Sequence, residues 1–407
     1  MEVQRVEKHV LKPSSKHYKF FLEQCHLSKN LYNHANYIIR KNFIDNNIWI
    51  RYNELDLLLK SDSEYPDYKE MITAQSAQQV LKILDKNWKS FFKSIKDWPK
   101  EKGKYTGKPK LPKYKKKDGY NILIFTNQNC KIKDNKILFP KKANGFYLKT
   151  KVENNKLCQV RFIPKCGYIS IEVVYKKEIT DIKLANNNYI AIDLGVDNLA
   201  AITNNIGLQP IIINGKGLKS INKYYNKLLA KYKSYAKICN NKDSTKRIQK
   251  IHSKRNFIIE DYMHKISRFI VEYAKENNIS TIIIGLNKFW KNKSNMNKVI
   301  NQTFIQIPFN SLITKIMYKA EEHGITVITN NESYTSGTSF LDNEPIHPAY
   351  YNKKRRVNRG LFISNSGIKI NSDINGSLQI MKNVFPDAFK NCQGIEGLVL
   401  NPLKISI

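Results

Sequence analysis

Residues 189–195, Tyr-Ile-Ala-Ile-Asp-Leu-Gly, constrain this chain more than any other segment. A short apolar run closed by a glycine reads as a buried strand, and this one carries a carboxylate, Asp193, to its exposed end. Strand signals follow near 198–203 and 210–213, then long Lys-rich helices. Two more strands, 281–285 and 325–329, bracket a helix expected over 309–323. A second carboxylate, Asp373, opens a helical pattern in which Ile374, Leu378 and Met381 recur at spacings of four and three.

Composition gives these carboxylates a setting. Sixty-nine Lys and Arg face thirty-four Asp and Glu in 407 residues, a formal charge of +35. Self-repulsion of that size points to a polyanionic partner, with nucleic acid the default. Two Mg²⁺ ions about 4 Å apart can clamp both oxygens of a phosphodiester displacement, using carboxylates drawn from separate segments. Asp193 and Asp373 therefore point to metal-dependent cutting of nucleic acid. No run of about 18 apolar residues exists, and the N-terminus lacks an apolar signal segment, so a cytoplasmic, nucleoid-associated bacterial protein with no membrane partner is expected. The six cysteines are scattered without a C-x-x-C pair and read as free thiols. Three antiparallel strands followed by helix-separated parallel ones is the order of an RNase H-like core, so residues 181–407 are expected to form an α/β nuclease domain.

The first half reads differently. Residues 1–12 look extended, 14–44 predict a helix with Phe20, Leu27, Leu31, Ile38 and Phe43 near helical spacing, and a second helix is expected over 73–95 with Val80, Leu84, Trp88 and Phe91 as its apolar face. Pro99 ends it. Residues 100–117 mix nine cations with aromatics, Gly and Pro, an arm suited to a phosphate backbone through Lys108, Lys110 and Lys113 with Tyr114 as a stacking surface. Short alternating runs between 120 and 176 predict a small antiparallel barrel. The fold class is thus α+β and multidomain: a barrel from 1–12 and 100–180, a helical domain over 13–99, and the nuclease domain.

Several separated segments carry a resemblance. They are Leu27-Ser-Lys-Asn-Leu-Tyr-Asn-His-Ala-Asn36, Ile192-Asp-Leu-Gly-Val-Asp-Asn-Leu-Ala200, His264-Lys-Ile-Ser-Arg268, Ile307-Pro-Phe309, Tyr318-Lys-Ala320, Glu332-Ser-Tyr-Thr-Ser336 and Asp373-Ile-Asn-Gly376. In this order the chain resembles TnpB proteins, the OrfB products of bacterial insertion sequences and relatives of type V CRISPR effectors. The resemblance implies an RNA-guided DNA endonuclease with a RuvC-type Mg²⁺ site. Its partners would be a transposon-end guide RNA, bound by one or two protein copies, and double-stranded target DNA beside a short motif. A helical recognition domain and a wedge-type barrel would precede the nuclease. Tyr32, Asn33, Asn36 and Arg40, polar residues of the first long helix, are candidates for reading the motif.

The chain departs from that pattern twice. The family's glutamate at the end of the fourth strand is replaced by Gly285, and Glu332, after the next strand, is the candidate third metal ligand beside Asp193 and Asp373. The family's four-cysteine zinc ribbon is replaced between 333 and 370 by Gly, Thr, Ser and Asn, so no zinc is expected. The basic loop there would set Lys353, Lys354, Arg355 and Arg356 against DNA and place Arg359 at the scissile phosphate. The alternative is a guided DNA-binding repressor that has lost cleavage.

Overall fold

The computed structural model describes residues 1–180, 184–286, 297–358, 360–390, 397 and 399–407. The chain divides into two compact units, Met1–Ile179 and Thr180–Ile407.

In the first unit, β1 (Glu2–Leu11) is followed by α1 (Tyr18–Asn46), α2 (Tyr52–Ser61), α3 (Asp67–Glu70) and α4 (Ala74–Asp97), then β2 (Leu123–Thr126), β3 (Lys131–Lys133), β4 (Lys136–Leu138), β5 (Tyr147–Lys149), β6 (Leu157–Lys165) and β7 (Tyr168–Glu178). The strands pair into two antiparallel sheets, one of order β1-β7-β6-β2 and one of order β3-β4-β5, rather than into a single closed ring. Each sheet buries one face. In β7, Ile169, Ile171 and Val173 alternate inward and are fully buried. Phe21 of α1 stacks on Phe162 of β6 with ring centroids 4.3 Å apart, the centre of an aromatic cluster that joins Phe125, Phe139 and Phe146.

Helix α1 is covered on more than one side, which shifts its buried line from the one its apolar spacing predicts. Phe21, Cys25, Leu31, Tyr32, Ala35 and Ile39 are buried, whereas Phe20, Leu27, Ile38 and Phe43 are only partly so. Polar residues complete the buried set because they bind a second segment of chain. Ser28 Oγ donates to the Ile122 carbonyl (2.7 Å), Lys29 Nζ to the Lys117 carbonyl (2.7 Å) and Asn36 Nδ2 to the Pro112 carbonyl (3.0 Å).

The second unit is built on a mixed six-stranded sheet. Its strands are β8 (Tyr189–Leu194), β9 (Asn198–Asn204), β10 (Ile211–Asn214), β11 (Thr281–Gly285), β12 (Thr326–Asn330) and β15 (Leu403–Ile405), in the order β12-β11-β8-β9-β10-β15. β8, β11 and β12 are parallel, and β9 runs antiparallel between β8 and β10. The ends of β8, β11 and β12 that carry Leu194, Gly285 and Asn330 therefore share one sheet edge.

Helices α5 (Lys216–Asn240), α6 (Lys246–Glu276), α7 (Lys298–Ile305) and α8 (Phe309–Glu321) lie between strands; a hairpin of β13 (Leu361–Ile363) and β14 (Lys369–Asn371) leads into α9 (Ser372–Val384). Ile190 and Ile192 of β8 and Ile282 and Ile284 of β11 share a core with Met263 and Ile266 of α6 and Leu312 and Ile316 of α8. Ala191 and Ile283, alternate residues of the same strands, pack instead with Ile380 and Met381 of α9. The sheet is thus buried on both sides, which is why its central strands read as continuous apolar runs. Among the described residues no helix is long and apolar enough to cross a membrane.

Candidate active site

Three acidic residues from distant parts of the second unit meet at that shared edge. Asp193 comes from the end of β8, Glu332 from the turn after β12, and Asp373 from the first turn of α9. The Asn371 side chain caps α9, its Oδ1 accepting from the backbone N–H of Asp373 (2.9 Å) and of Ile374 (3.3 Å). Helix α9 is stitched to the sheet beneath: Ser377 Oγ donates to the Ala191 carbonyl (2.9 Å) and shares a 2.8 Å hydrogen bond with Thr203 Oγ1.

Two glycines let the carboxylates come this close. A β-carbon at Gly376 would lie 2.8 Å from Asp193 Oδ2, so only a bare backbone admits that carboxylate against the helix. At Gly285 a β-carbon would lie 2.2 Å from Glu332 Oε1 and 2.5 Å from Ile380 Cδ1. The side chain of Glu332 fills the space at the end of β11 that a residue there would otherwise occupy.

Crowding of like charge is visible in the proton affinities. Asp193 is held well above the usual carboxylate range, first by burial and then by the negative charges of Glu332 and Asp373, with Arg356 opposing. Burial pushes Glu332 up to about 7. The Asp373 carboxylate accepts from Asn198 Nδ2 at 2.8 Å, from the Arg356 guanidinium at 3.1 Å and from Ser372 Oγ at 3.4 Å.

The loop between β12 and α9 is held by two further carboxylates. Glu344 accepts from the Ser339 backbone N–H (2.8 Å), from Arg355 (2.6 Å) and from Asn365 Nδ2 (3.0 Å), while Asp342 accepts from the Asn365 backbone N–H (2.7 Å). These hydrogen bonds and the Arg355 cation outweigh burial and hold both carboxyls below their ordinary range. Asn375, fully buried on α9, ties the loop down by donating to the Thr338 carbonyl (2.8 Å) and accepting from the Phe340 N–H (3.0 Å). The run Asp373-Ile-Asn-Gly376 is therefore a unit: Asp373 supplies a carboxylate, Asn375 fixes the loop and Gly376 admits Asp193.

Comparison with known proteins matches this half of the chain to two families. A family described as "Probable transposase" (OrfB_IS605) covers residues 172–290, and the Cas12f1-like TNB domain covers 309–380. The TnpB-like protein ORF457 of Acidianus two-tailed virus is 25% identical over 408 residues, spanning 88% of this chain and 81% of its own length. These matches support a TnpB-type protein. InsQ of Escherichia coli (strain K12), whose name describes a candidate RNA-guided DNA endonuclease, is 22% identical over 320 residues, covering 76% of this chain and 74% of its own. Among solved structures, the protein of a Cas12f1–sgRNA–target DNA complex superposes with a TM-score of 0.52 at 15% identity, over 89% of this chain and 82% of that one, which shows a shared α+β fold.

The structure also locates the other residues singled out from sequence. Tyr32 and Asn36 are buried, Tyr32 accepting from Asn87 Nδ2 (3.1 Å) and Asn36 Oδ1 accepting from Trp88 Nε1 (3.1 Å). Asn33 binds both backbone groups of Lys115, and Arg40 donates to the Pro112 carbonyl (3.1 Å) and lies over the Tyr114 ring. The polar stripe of α1, expected to face bases, is bound instead to the chain's own arm. Lys108, Lys110 and Lys113 project from that arm into solvent and Tyr114 is half-exposed.

In the basic loop Lys353 and Lys354 are exposed, but Arg355 is taken up by Glu344 and Arg356 by Asp373. Arg359 lies outside the described residues. Among the described residues Arg356 is the arginine that reaches a site carboxylate, and Asn198 is a site residue that sequence reasoning missed; its place directly after Asp197, at the start of β9, was the available signal.

The donor set suits a hard divalent cation such as Mg²⁺, because three carboxylates from separate segments converge beside two glycine cradles. Among the described residues no three acidic side chains stand close enough together to hold an ion; Arg356 and Asn198 both bind the Asp373 carboxylate.

Proposed function

We propose that this protein is an RNA-guided DNA endonuclease whose cutting site is formed by Asp193, Glu332 and Asp373. The single observation that carries the reading is the occupation of the Gly285 cradle by Glu332. A chain that lacked the fourth-strand glutamate and had no substitute would have no use for a buried carboxylate there. The strand order of the second unit supports an RNase H-like, RuvC-type core, and we read the two sheets and four helices of the first unit as the wedge and recognition domains that the resemblance implies.

The three carboxylates would hold Mg²⁺, which when bound supplies charge stabilisation and a lowered pKa for water at a scissile phosphate. The chain's own part can be followed without it. Asp193, on a central strand, would be the ligand common to the set. Glu332 and Asp373 stand near enough for their charges to raise its proton affinity, and would share the ion with it. Asn198 orients the Asp373 carboxylate. Arg356, paired with Asp373, would be a cation beside the phosphate being cut. In the first unit, the exposed lysines of the arm offer phosphate contacts that carry no sequence information, consistent with recognition by base pairing to a guide RNA.

The test is cleavage of a randomised double-stranded target library by the protein co-produced with RNA from its own flanking sequence. Guided double-strand cuts beside a fixed short motif support the reading. The same motif bound without cuts would favour the repressor.

A further inference from the structure

The turn that delivers Glu332 also presents an aromatic pair that the cutting chemistry does not use. Tyr334 has φ +67°, whereas every other described non-glycine residue with positive φ is Asn or Asp. A bulky residue is rare in that region, and a turn that needed only the conformation would take Gly or Asn. The strained backbone is locked in place. Glu332 O accepts from Thr335 Oγ1 (2.9 Å), and Tyr334 O accepts from Thr338 Oγ1 (3.1 Å).

The ring of Tyr334 stands 44% exposed and meets Tyr351, itself 38% exposed, with centroids 5.9 Å apart and planes at 76°. Tyr351 is held there by a third glycine cradle. A β-carbon at Gly337 would lie 2.4 Å from Tyr351 Cε2, and the Asn352 N–H donates to the Gly337 carbonyl at 3.0 Å. The chain thus uses a strained tyrosine and a dedicated glycine to keep two rings at a right angle and open to solvent. Exposed Lys353 and Lys354 follow at once, and Arg356 beyond them reaches Asp373. A flat aromatic surface beside cations is the chemistry that binds a base and its phosphates.

We propose that Tyr334 and Tyr351 form a stacking corner for one nucleobase of the strand presented to the carboxylates, with Lys353 and Lys354 meeting its phosphates. This rests on the reading of Asp193, Glu332 and Asp373 as the cutting site and adds a base-binding subsite to it.

The test uses photo-cross-linking of the full-length protein, without divalent metal, to 20-nucleotide single strands carrying one 5-iodouracil, in DNA and RNA versions, with cross-linked residues mapped by mass spectrometry. Tyr334 or Tyr351 is expected among the cross-linked residues, and the better-yielding version identifies the strand as DNA or RNA. Tyr334→Asn keeps a side chain that tolerates the left-handed backbone, so its thermal unfolding should match the parent while the cross-link at this corner falls by about tenfold; Tyr334→Phe should retain it. Cross-links confined to other regions, or a corner cross-link unchanged in a Tyr334→Asn, Tyr351→Leu double variant, would overturn the proposal. In the cleavage assay, Tyr334→Asn should slow cutting by about tenfold and Tyr334→Phe should not. Cutting without a corner cross-link removes the subsite and leaves the nuclease; a corner cross-link without any cutting removes the nuclease reading and with it the subsite's role.

Discussion

Gly285 and Glu332 occupy one volume between them. The glutamate's Oε1 lies where a β-carbon at 285 would be 2.2 Å away, and its Cγ where that carbon would be 2.6 Å away. Gly285→Ala is therefore expected to push Glu332 out of the site, lowering cutting by roughly 10²-fold or more through misplacement of a metal ligand, at a stability cost of about 1–3 kcal/mol from overpacking. Gly285→Glu combined with Glu332→Ala returns a carboxylate to the same space from β11 and should recover part of the activity that Glu332→Ala alone removes. Single-turnover cutting rates of the three variants check both statements.

Asn36 is expected to be structural. It bridges Trp88 Nε1 and the Pro112 carbonyl and is fully buried. Asn36→Leu keeps the volume but strands a buried indole N–H and leaves the Pro112 carbonyl to Arg40 alone, which should cost about 1–3 kcal/mol in urea unfolding. It should also make the segment around Pro112 more open to proteolysis. A variant of unchanged stability that altered only the choice of target-adjacent motif would return Asn36 to the reading role.

The pH dependence follows from Glu332. Its folded value is raised from 4.5 to about 7, so the folded protein holds a proton that the unfolded chain has already released. In the absence of metal, stability should therefore be highest below the ordinary value of 4.5 as far as this group is concerned, and fall as pH rises from about 4.5 to 7. Asp193, raised for the same reason and by its neighbours, adds in the same direction. Metal binding has the opposite sign, because the carboxylates must be deprotonated: Mn²⁺ affinity should rise between pH 6 and 8 with release of protons, measured by calorimetry in two buffers of different ionisation enthalpy. Glu332→Gln should flatten both profiles.

Sequence carried the second unit further than the first. The buried strands around Asp193 and the helical run after Asp373 are local periodic patterns, and the parallel order of β8, β11 and β12 put Glu332 at the right edge by topology alone. Burial of Asn36 had no such signal: its partners lie 52 and 76 residues away, and a polar residue on a helix looks alike whether it meets solvent or the chain's own backbone. The contact of Arg356 with Asp373 had no signal in spacing, because the loop that carries it has no period. It is shaped by Glu344, Asp342 and Asn375, whose hydrogen bonds depend on the finished fold. The two open sheets of the first unit were read as one barrel because alternation fixes which face of a strand is buried, not which strands pair.

The most direct measurement is single-turnover cutting of a guided double-stranded target in Mg²⁺, in EDTA, and by Asp193→Ala, Glu332→Gln and Asp373→Ala, with target binding followed in parallel. Cutting should require Mg²⁺ and fall by roughly 10³-fold or more in each variant while guided binding persists. A Glu332→Gln variant that cuts at the parent's rate, or a parent that binds its guided target in Mg²⁺ and never cuts it, would contradict the assignment of these three carboxylates as a working nuclease site.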